Sequence, residues 1–336
     1  MYITLIESQS LSHDALLHAG AAPHQASAVA LSIRAAEAEG TRGIGLGYLP
    51  WYCQHLRMGK IIGTAVPQLS HPKPGAVFVD AMGGFAHPAY AAGEAALMTA
   101  AQTNGIAILG VANAYACGVL GYFSDRLARA GLVSICVTNA SSTMAPWGGK
   151  TPFFGTNPWA FGAPRAGNDP LVIDSSSSAT AYVNLANAAR AGTPIPATWA
   201  LDADGHPTTD AGLGLQGSIA PAGGHKGSAL ALMVEVLAAG LTGAHWSYQA
   251  SSLGDDLGGP PMLGQTFIAI DPGGLAGGFT ARIEEMLAAM QAQDGVRLPG
   301  ARRHDNRRIA EAKGVAITQP EADQLAQLAG RAVRFI

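Results

Sequence analysis

Apolar residues in the first part of the chain recur at helical spacing, and farther on they gather into short runs of strand length. Residues 2 to 6 alternate like a short strand, and Ser10 to Ser12 can cap a helix from about His13 to Ala19 that Gly20 stops. A second helix is expected from about Pro23 to Gly40, with Val29, Ile33 and Ala36 on one face. Gly43-Ile44-Gly45-Leu46-Gly47 reads as a flexible turn into a third helix, whose second residue, Pro50, suits a first helical turn. From about residue 75 the rhythm changes. Val77–Asp80, Ile106–Val111 and Leu132–Val137 have strand character, separated by an alanine-rich helix over Pro88–Thr103 and another near Gly121–Ala130. That β-α-β alternation predicts an α/β core.

The second half continues the pattern. Leu171–Asp174 and Phe267–Asp271 read as strands, and Ala179–Arg190, Thr280–Gln293 and Glu321–Ala332 as helices, with a basic loop at Pro299–Arg303. Lys226–Ala239 alternates small and large apolar residues around the single Glu235, which predicts a helix buried on most sides. Gly223 and Gly224 stand just ahead of it, so its N-terminal N–H groups could receive an anionic ligand group. The stretch from Ala145 to Pro164 is expected to be a long loop. Five glycines and prolines in its first eleven residues forbid regular helix, while Trp147, Phe153, Phe154 and Trp159 supply more aromatic surface than a solvated linker carries. Thr156 and Asn157 offer polar groups for a ligand there, and the alternative is a connection simply packed on a core.

Composition narrows the partner. A formal charge of -3 over 336 residues points away from nucleic acid and anionic membrane surfaces and towards a small molecule. Charged residues are only 13% of the chain, which favours an oligomer that buries surface. Cys53, Cys117 and Cys136 lack CxxC spacing, so neither a disulfide framework nor a metal site is expected and a reducing cytoplasm fits. The N-terminus has no basic leader and no run approaches about 18 apolar residues. Gly212-Leu213-Gly214-Leu215-Gln216-Gly217 matches GxGxxG by letter but follows a polar loop, and Gly224-His225-Lys226-Gly227-Ser228 lacks P-loop order.

Several motifs together carry a resemblance. Ala145-Pro-Trp-Gly-Gly149, Gly155-Thr-Asn-Pro158, Val172-Ile-Asp174, the run Trp199 to Asp210, Gly223-Gly-His-Lys-Gly227, Leu241-Thr-Gly-Ala244 and Leu298-Pro-Gly300 make residues from about 10 to 315 resemble the type-2 malate/L-lactate dehydrogenase family. Its members include Δ1-piperideine-2-carboxylate/Δ1-pyrroline-2-carboxylate reductases and ureidoglycolate dehydrogenases. The resemblance implies a non-Rossmann α/β fold, a mixed sheet flanked by helices that binds NADPH or NADH, and a homodimer. Residues 1–75 with 280–336 would form a helical dimerisation region, and 76–279 the NAD(P)-binding domain. It also implies a cofactor site drawn from Ala116, Thr156, Asp174, Ser175, Ser176, Ser178, Gly224, His225, Lys226 and Arg302, with Thr156 touching substrate.

The reacting positions depart from the family pattern. Where members carry Ser-His-Gly-Leu-x-Arg-Leu-Pro, this chain reads Gly43-Ile44-Gly45-Leu46-Gly47-Tyr48-Leu49-Pro50, so the histidine that serves as proton donor is Ile44 and the carboxylate-binding arginine is Tyr48. The histidine of the cofactor-side Ser-x-His-Phe-Gly motif is Ala116, and a charged position on a following helix falls by count on Asn184. Tyr48 can still donate a hydrogen bond, and Arg42 is a candidate replacement ligand for a carboxylate. Ketone reduction makes an alkoxide that needs a positioned acid, worth roughly 10²- to 10⁴-fold, whereas hydride addition to an iminium yields an amine directly. The expected activity is therefore NAD(P)H-dependent reduction of a C=N substrate, best a cyclic imino acid. The alternatives are a 2-hydroxyacid dehydrogenase drawing its acid from His225 or His55, and a catalytically silent NAD(P)-binding paralogue.

Overall fold

The computed structural model describes residues 1–336. The chain opens with β1 (Tyr2–Ile3), α1 (Leu5–His18), α2 (Pro23–Ala38) and α3 (Leu49–Arg57). Helix α1 starts well before the serines expected to cap it, because the Thr4 hydroxyl accepts the Glu7 N–H at 2.9 Å and closes the first turn. Of the alternating stretch at residues 2 to 6, Tyr2 and Ile3 form a strand and Leu5 and Ile6 already belong to the helix. Next come β2 (Gln68–Lys73), β3 (Ala76–Asp80), α4 (Ala86–Asn104), β4 (Ile106–Ala114), α5 (Gly121–Arg129) and β5 (Val133–Thr138). Strands β6 (Trp159–Ala163) and β7 (Leu171–Ser175) follow, so the long loop ends at Trp159 rather than running to Pro164.

Helix α6 (Tyr182–Ala191) leads to a small three-stranded sheet of β8 (Ala200–Leu201), β9 (Pro207–Thr208) and β10 (Ser218–Ile219). The GxGxxG-like run forms the short helix α7 (Ala211–Gln216) between the last two, capped by Asp210. Helix α8 (His225–Glu235) continues as a π-turn over Val236–Gly240 and is followed by β11 (Leu263–Ile270). The chain closes with α9 (Phe279–Gln291), α10 (Ala301–Lys313), β12 (Val315–Ala316) and α11 (Gln319–Ala329), so the basic run expected as a loop is largely the first turn of α10.

The main sheet has the order β2-β3-β4-β11-β5-β6-β7. Only β3 and β4 pair in parallel, as the β-α-β pattern around α4 requires; every other neighbouring pair is antiparallel. Strand β11 arrives late in the sequence and inserts between β4 and β5. Its Phe267 packs edge-on to Tyr90 of α4 and close to Phe123 of α5, in a core with Leu109 and Cys136. A second core joins α1, α2 and α3 to α11 and to Phe85 and Tyr115, and β1 pairs with β12, so the two chain ends are packed together. No helix is long and apolar enough to cross a membrane.

Helix α8 departs from expectation. Leu232, Met233, Val236 and Leu241 are 54%, 46%, 52% and 59% exposed, so one apolar side is bare in the single chain. Its opposite side carries the buried Glu235, which accepts Asn157 Nδ2 at 2.7 Å, Ser247 N and Oγ at 2.6 Å each, and Asn139 Nδ2 at 3.4 Å. Asn157 is thus a structural residue, not a ligand-facing amide. All the partners of Glu235 are donors. Replacing it with glutamine would turn one acceptor oxygen into a donor that faces them. Glu235→Gln is expected to lower the unfolding free energy by about 2–3 kcal/mol. Urea unfolding at fixed protein concentration checks this; a loss below about 0.5 kcal/mol would mean the network adds no net stability.

Candidate active site

The turn after α2 is fixed by one carboxylate. Glu37, buried near the end of that helix, accepts the Leu46 N–H at 2.8 Å and Arg42 Nε at 3.2 Å, and burial pushes its pKa up against these two partners. Residue 45 has to be glycine, because a Cβ there would sit 2.4 Å from Glu37 Oε1. Residues 43–47, expected to be a flexible turn, lie within two 3-10 turns, Arg42–Ile44 and Leu46–Tyr48. Arg42 also pairs with Glu321 of α11 at 3.1 Å, so binding a substrate carboxylate would require it to leave two acidic partners.

The turn delivers Ile44 and Tyr48 to one place. Ile44 Cγ2, the Tyr52 hydroxyl and His87 Nε2 lie 3.5, 3.3 and 3.8 Å from the point where a Cβ on Gly118 would stand. Burial pushes His87 down to about 4, so it is a neutral wall residue. Tyr48, Ala116 and Leu253 each pack, partly buried, against the core shared by the chain ends. Tyr48, Tyr52 and His55 recur at positions i, i+4 and i+7 and meet Tyr115 at the end of β4. The Tyr48 and Tyr52 rings are 4.8 Å apart edge to face, and His55 Nδ1 is 2.6 Å from the Tyr115 hydroxyl. His55 is fully buried and its pKa is lowered, first by burial and then by Lys60, against the pull of Asp256.

Lys60 supplies the least expected contact. Its ammonium is fully buried and donates to the Asp255 and Leu257 carbonyls at 2.8 and 2.7 Å and to that of Ser252, fastening the 252–257 loop beside α3. The hydroxyl of Tyr182 at the start of α6 lies 3.7 Å from the Cβ point of Gly254 in that loop. Asn184, two residues on, is exposed and donates to Thr180 Oγ1 at 3.2 Å. The spacing of Tyr48, Tyr52 and His55 could have marked this cluster from sequence. Nothing local marks Lys60 or the loop it holds.

The expected cofactor residues fall into two groups. Asp174 is committed: it accepts the Gly121 N–H at 2.9 Å and Arg303 Nη1 at 3.0 Å, capping α5 rather than facing outward. Ser176 and Ser178 hydrogen-bond to each other at 3.1 Å, and Ser175 is exposed beside them. The Thr156 carbonyl accepts Ser177 N at 2.9 Å, and Ala222 N donates to Ser177 O at 2.9 Å, which brings these loops to the start of α8. There Gly224 adopts φ +67°, and a Cβ on it would meet the Trp147 ring at 2.9 Å. Trp147 is 64% exposed and stands edge to face with His225, 6.3 Å between centroids. His225 and Lys226 are exposed. Of the four arginines on α10, Arg302 alone makes no ion pair, since Arg303, Arg307 and Arg308 are held by Glu39, Asp125, Asp169, Asp174 and Asp305. A helix N-terminus beside an exposed aromatic ring and an exposed lysine has the character of an anion site.

The chain has relatives among known proteins. The chain is 43% identical over 321 residues to a (2R)-3-sulfolactate dehydrogenase (NADP(+)) of Chromohalobacter salexigens, covering 95% of each chain. It is 40% identical over 330 residues to a Δ1-pyrroline-2-carboxylate/Δ1-piperideine-2-carboxylate reductase of Pseudomonas putida, covering 98% of this chain and 97% of that one. The crystal structure of Δ1-piperideine-2-carboxylate reductase from Pseudomonas syringae pvar. tomato superposes with a TM-score of 0.94 at 36% identity, over 98% of this chain and 99% of that one. Residues 3–326 match the family model for malate/L-lactate dehydrogenase, and the chain belongs to that family.

Proposed function

We propose that the protein is an NAD(P)H-dependent reductase of a cyclic imino acid, Δ1-pyrroline-2-carboxylate or Δ1-piperideine-2-carboxylate. The observation that carries this reading is the pairing of near full-length similarity to reductases of those two imines with Ile44 at the position of the family histidine. The bound cofactor supplies a hydride. Trp147, Gly224, Lys226 and Arg302 would hold it, with Thr156, Ser175, Ser176 and Ser178 on the adjoining loops. Ile44, Tyr48 and Tyr52 give the substrate a wall that is apolar apart from two hydroxyls, which suits a small ring. An iminium accepts hydride at carbon and becomes an amine with no acid needed at that moment, so the loss of the histidine is tolerable for C=N and costly for C=O.

A second reading is favoured by the 43% identity to a sulfolactate dehydrogenase: a 2-hydroxyacid dehydrogenase with its acid supplied from another residue. We further infer that a second copy of the chain covers the bare side of α8 to form a homodimer, and the three unpaired, buried cysteines fit a cytoplasmic protein.

Two measurements decide between the readings. Purified protein with NADPH or NADH is expected to oxidise the cofactor on addition of either cyclic imine at least about tenfold faster than with pyruvate, oxaloacetate or 3-sulfopyruvate. The reverse order would establish the hydroxyacid reading, and cofactor binding without turnover of any of them would favour a silent paralogue. Ile44→His is expected to raise kcat/KM for keto acids by roughly 10²-fold and to change imine reduction less than about threefold. An equal gain for both substrate types would remove the reason given for the missing histidine.

A further inference from the structure

Tyr48 is the inner end of a chain of polar groups that the proposed reaction has not yet used. Its hydroxyl is 3.4 Å from the Tyr115 hydroxyl, which is 2.6 Å from His55 Nδ1. The other ring nitrogen, Nε2, is buried without a hydrogen-bond partner and faces Asp256 Oδ1 at 3.8 Å. His55 is wholly buried, whereas the Asp256 side chain is 34% exposed. The series therefore runs from the Ile44 wall, through the protein, to solvent. Both ends are held in place. Gln54 donates to the two Asp256 oxygens at 2.8 and 2.7 Å, and Lys60 fixes the backbone on either side of Asp256.

We propose that Tyr48, Tyr115, His55 and Asp256 form a proton wire that supplies the nitrogen of a neutral cyclic imine from bulk water. The proposal rests on the reductase reading above. An imine that arrives protonated needs nothing, but one that arrives neutral must gain a proton as hydride reaches its carbon. The imine nitrogen then takes the Tyr48 hydroxyl proton, Tyr48 takes one from Tyr115, and Tyr115 takes the Nδ1 proton of His55. Nε2 receives the replacement from water at Asp256, spanning the 3.8 Å gap through one water or a small side-chain rotation. The C=N π bond is broken and one C–H and one N–H bond form. The reduced nicotinamide is oxidised, the products are a cyclic secondary amine and the oxidised cofactor, and one proton leaves solvent. The imidazole passes from the Nδ1–H to the Nε2–H tautomer, and it must regain the first by proton exchange with water before the next turnover.

The surroundings keep this series uncharged between its ends. Burial raises both phenols, with Tyr52 adding to the effect at Tyr115, and lowers His55. The charged groups facing His55 are Lys60, which disfavours the imidazolium, and Asp255 and Asp256, which favour it; burial outweighs the latter pair. No phenolate or imidazolium rests in the path, so the proton moves by exchange between neutral groups. Tyr115 and His55 are thus positioning residues that act through Tyr48.

The test compares the wild type with Tyr115→Phe, His55→Gln and Asp256→Asn, reading kcat and KM for Δ1-piperideine-2-carboxylate from about pH 6 to about pH 9. The ratio of wild-type to variant kcat is expected to widen by about tenfold or more as pH rises and solvent stops protonating the imine, with KM changing less than about threefold. Asp256 is at the surface, so its variant separates a transport defect from misfolding. Independently of turnover, ¹⁵N NMR of the cofactor-free protein is expected to show both His55 tautomers in the wild type and an altered ratio in Tyr115→Phe. A kcat ratio that stays constant with pH overturns the wire while leaving the reductase reading intact, and so does a single tautomer shared by both proteins. A wild type that turns over neither imine overturns the reductase reading first, and the wire with it.

Discussion

A buried ammonium organises the site. Lys60 follows α3 by three residues in the chain and is wholly enclosed, a state in which an uncompensated charge would cost several kcal/mol. Its compensation comes from three backbone carbonyls of a loop about two hundred positions later, so the loop cannot move without stranding the charge. One contact thereby sets Leu253 against the core that Tyr48 also packs on, Asp256 opposite His55, and Gly254 under Tyr182. The proposed substrate region is assembled from segments distant in sequence, and the lysine fixes the 252–257 loop against α3 within it.

Glu37 does the same for the opposite side. Its carboxylate terminates the turn that carries Ile44 and Tyr48, and its partner Arg42 reaches on to α11. The charge on Arg42 is therefore part of the link between the chain ends and the site. The load on the backbone of this turn falls on Leu46 N–H and Arg42, which leaves the side chain at position 48 free to vary without breaking it. The aromatic replacement then packs on Tyr52 and approaches Tyr115, making a wall that is drier than a guanidinium would allow.

Five of the seven strands of the main sheet and several of the longer helices were legible from a regular apolar period: Val77–Asp80 alternates, and Pro88–Thr103 repeats alanine at helical spacing. Strand β2, exposed along its length, and β6, at the end of the glycine- and proline-rich stretch, were not. Helix α10 was not. Its sequence, Ala301 to Lys313, has four arginines and few apolar residues, and it is held chiefly by ion pairs to Glu39, Asp125, Asp169 and Asp174, which leave no periodic signal. Helix α8 misled in the other direction. Apolar residues on several sides suggested full burial, whereas one side is bare in the single chain. At the site, Ile44 and Tyr48 could be singled out by comparison with a family pattern, but neither the commitment of Arg42 and Asp174 to ion pairs nor the reach of Lys60 is written in local sequence. Such contacts are fixed by tertiary folding alone.

On the reductase reading, the altered positions change the source of a proton and leave the hydride chemistry as it is. A histidine at position 44 would be both an acid and a potential charge beside the reacting carbon; Ile44 is neither. With Arg42 neutralised by Glu37 and Glu321, and Asp174 by Arg303, the nearest side chains to Tyr48 are hydroxyls and rings without formal charge. In such a setting a ketone's developing alkoxide meets neutral hydroxyls but no cation, while an iminium loses its charge as the hydride arrives and so gains from the same low polarity. The dryness that would hinder one reaction favours the other. That asymmetry, more than any single contact, is what links this arrangement of residues to carbon–nitrogen reduction.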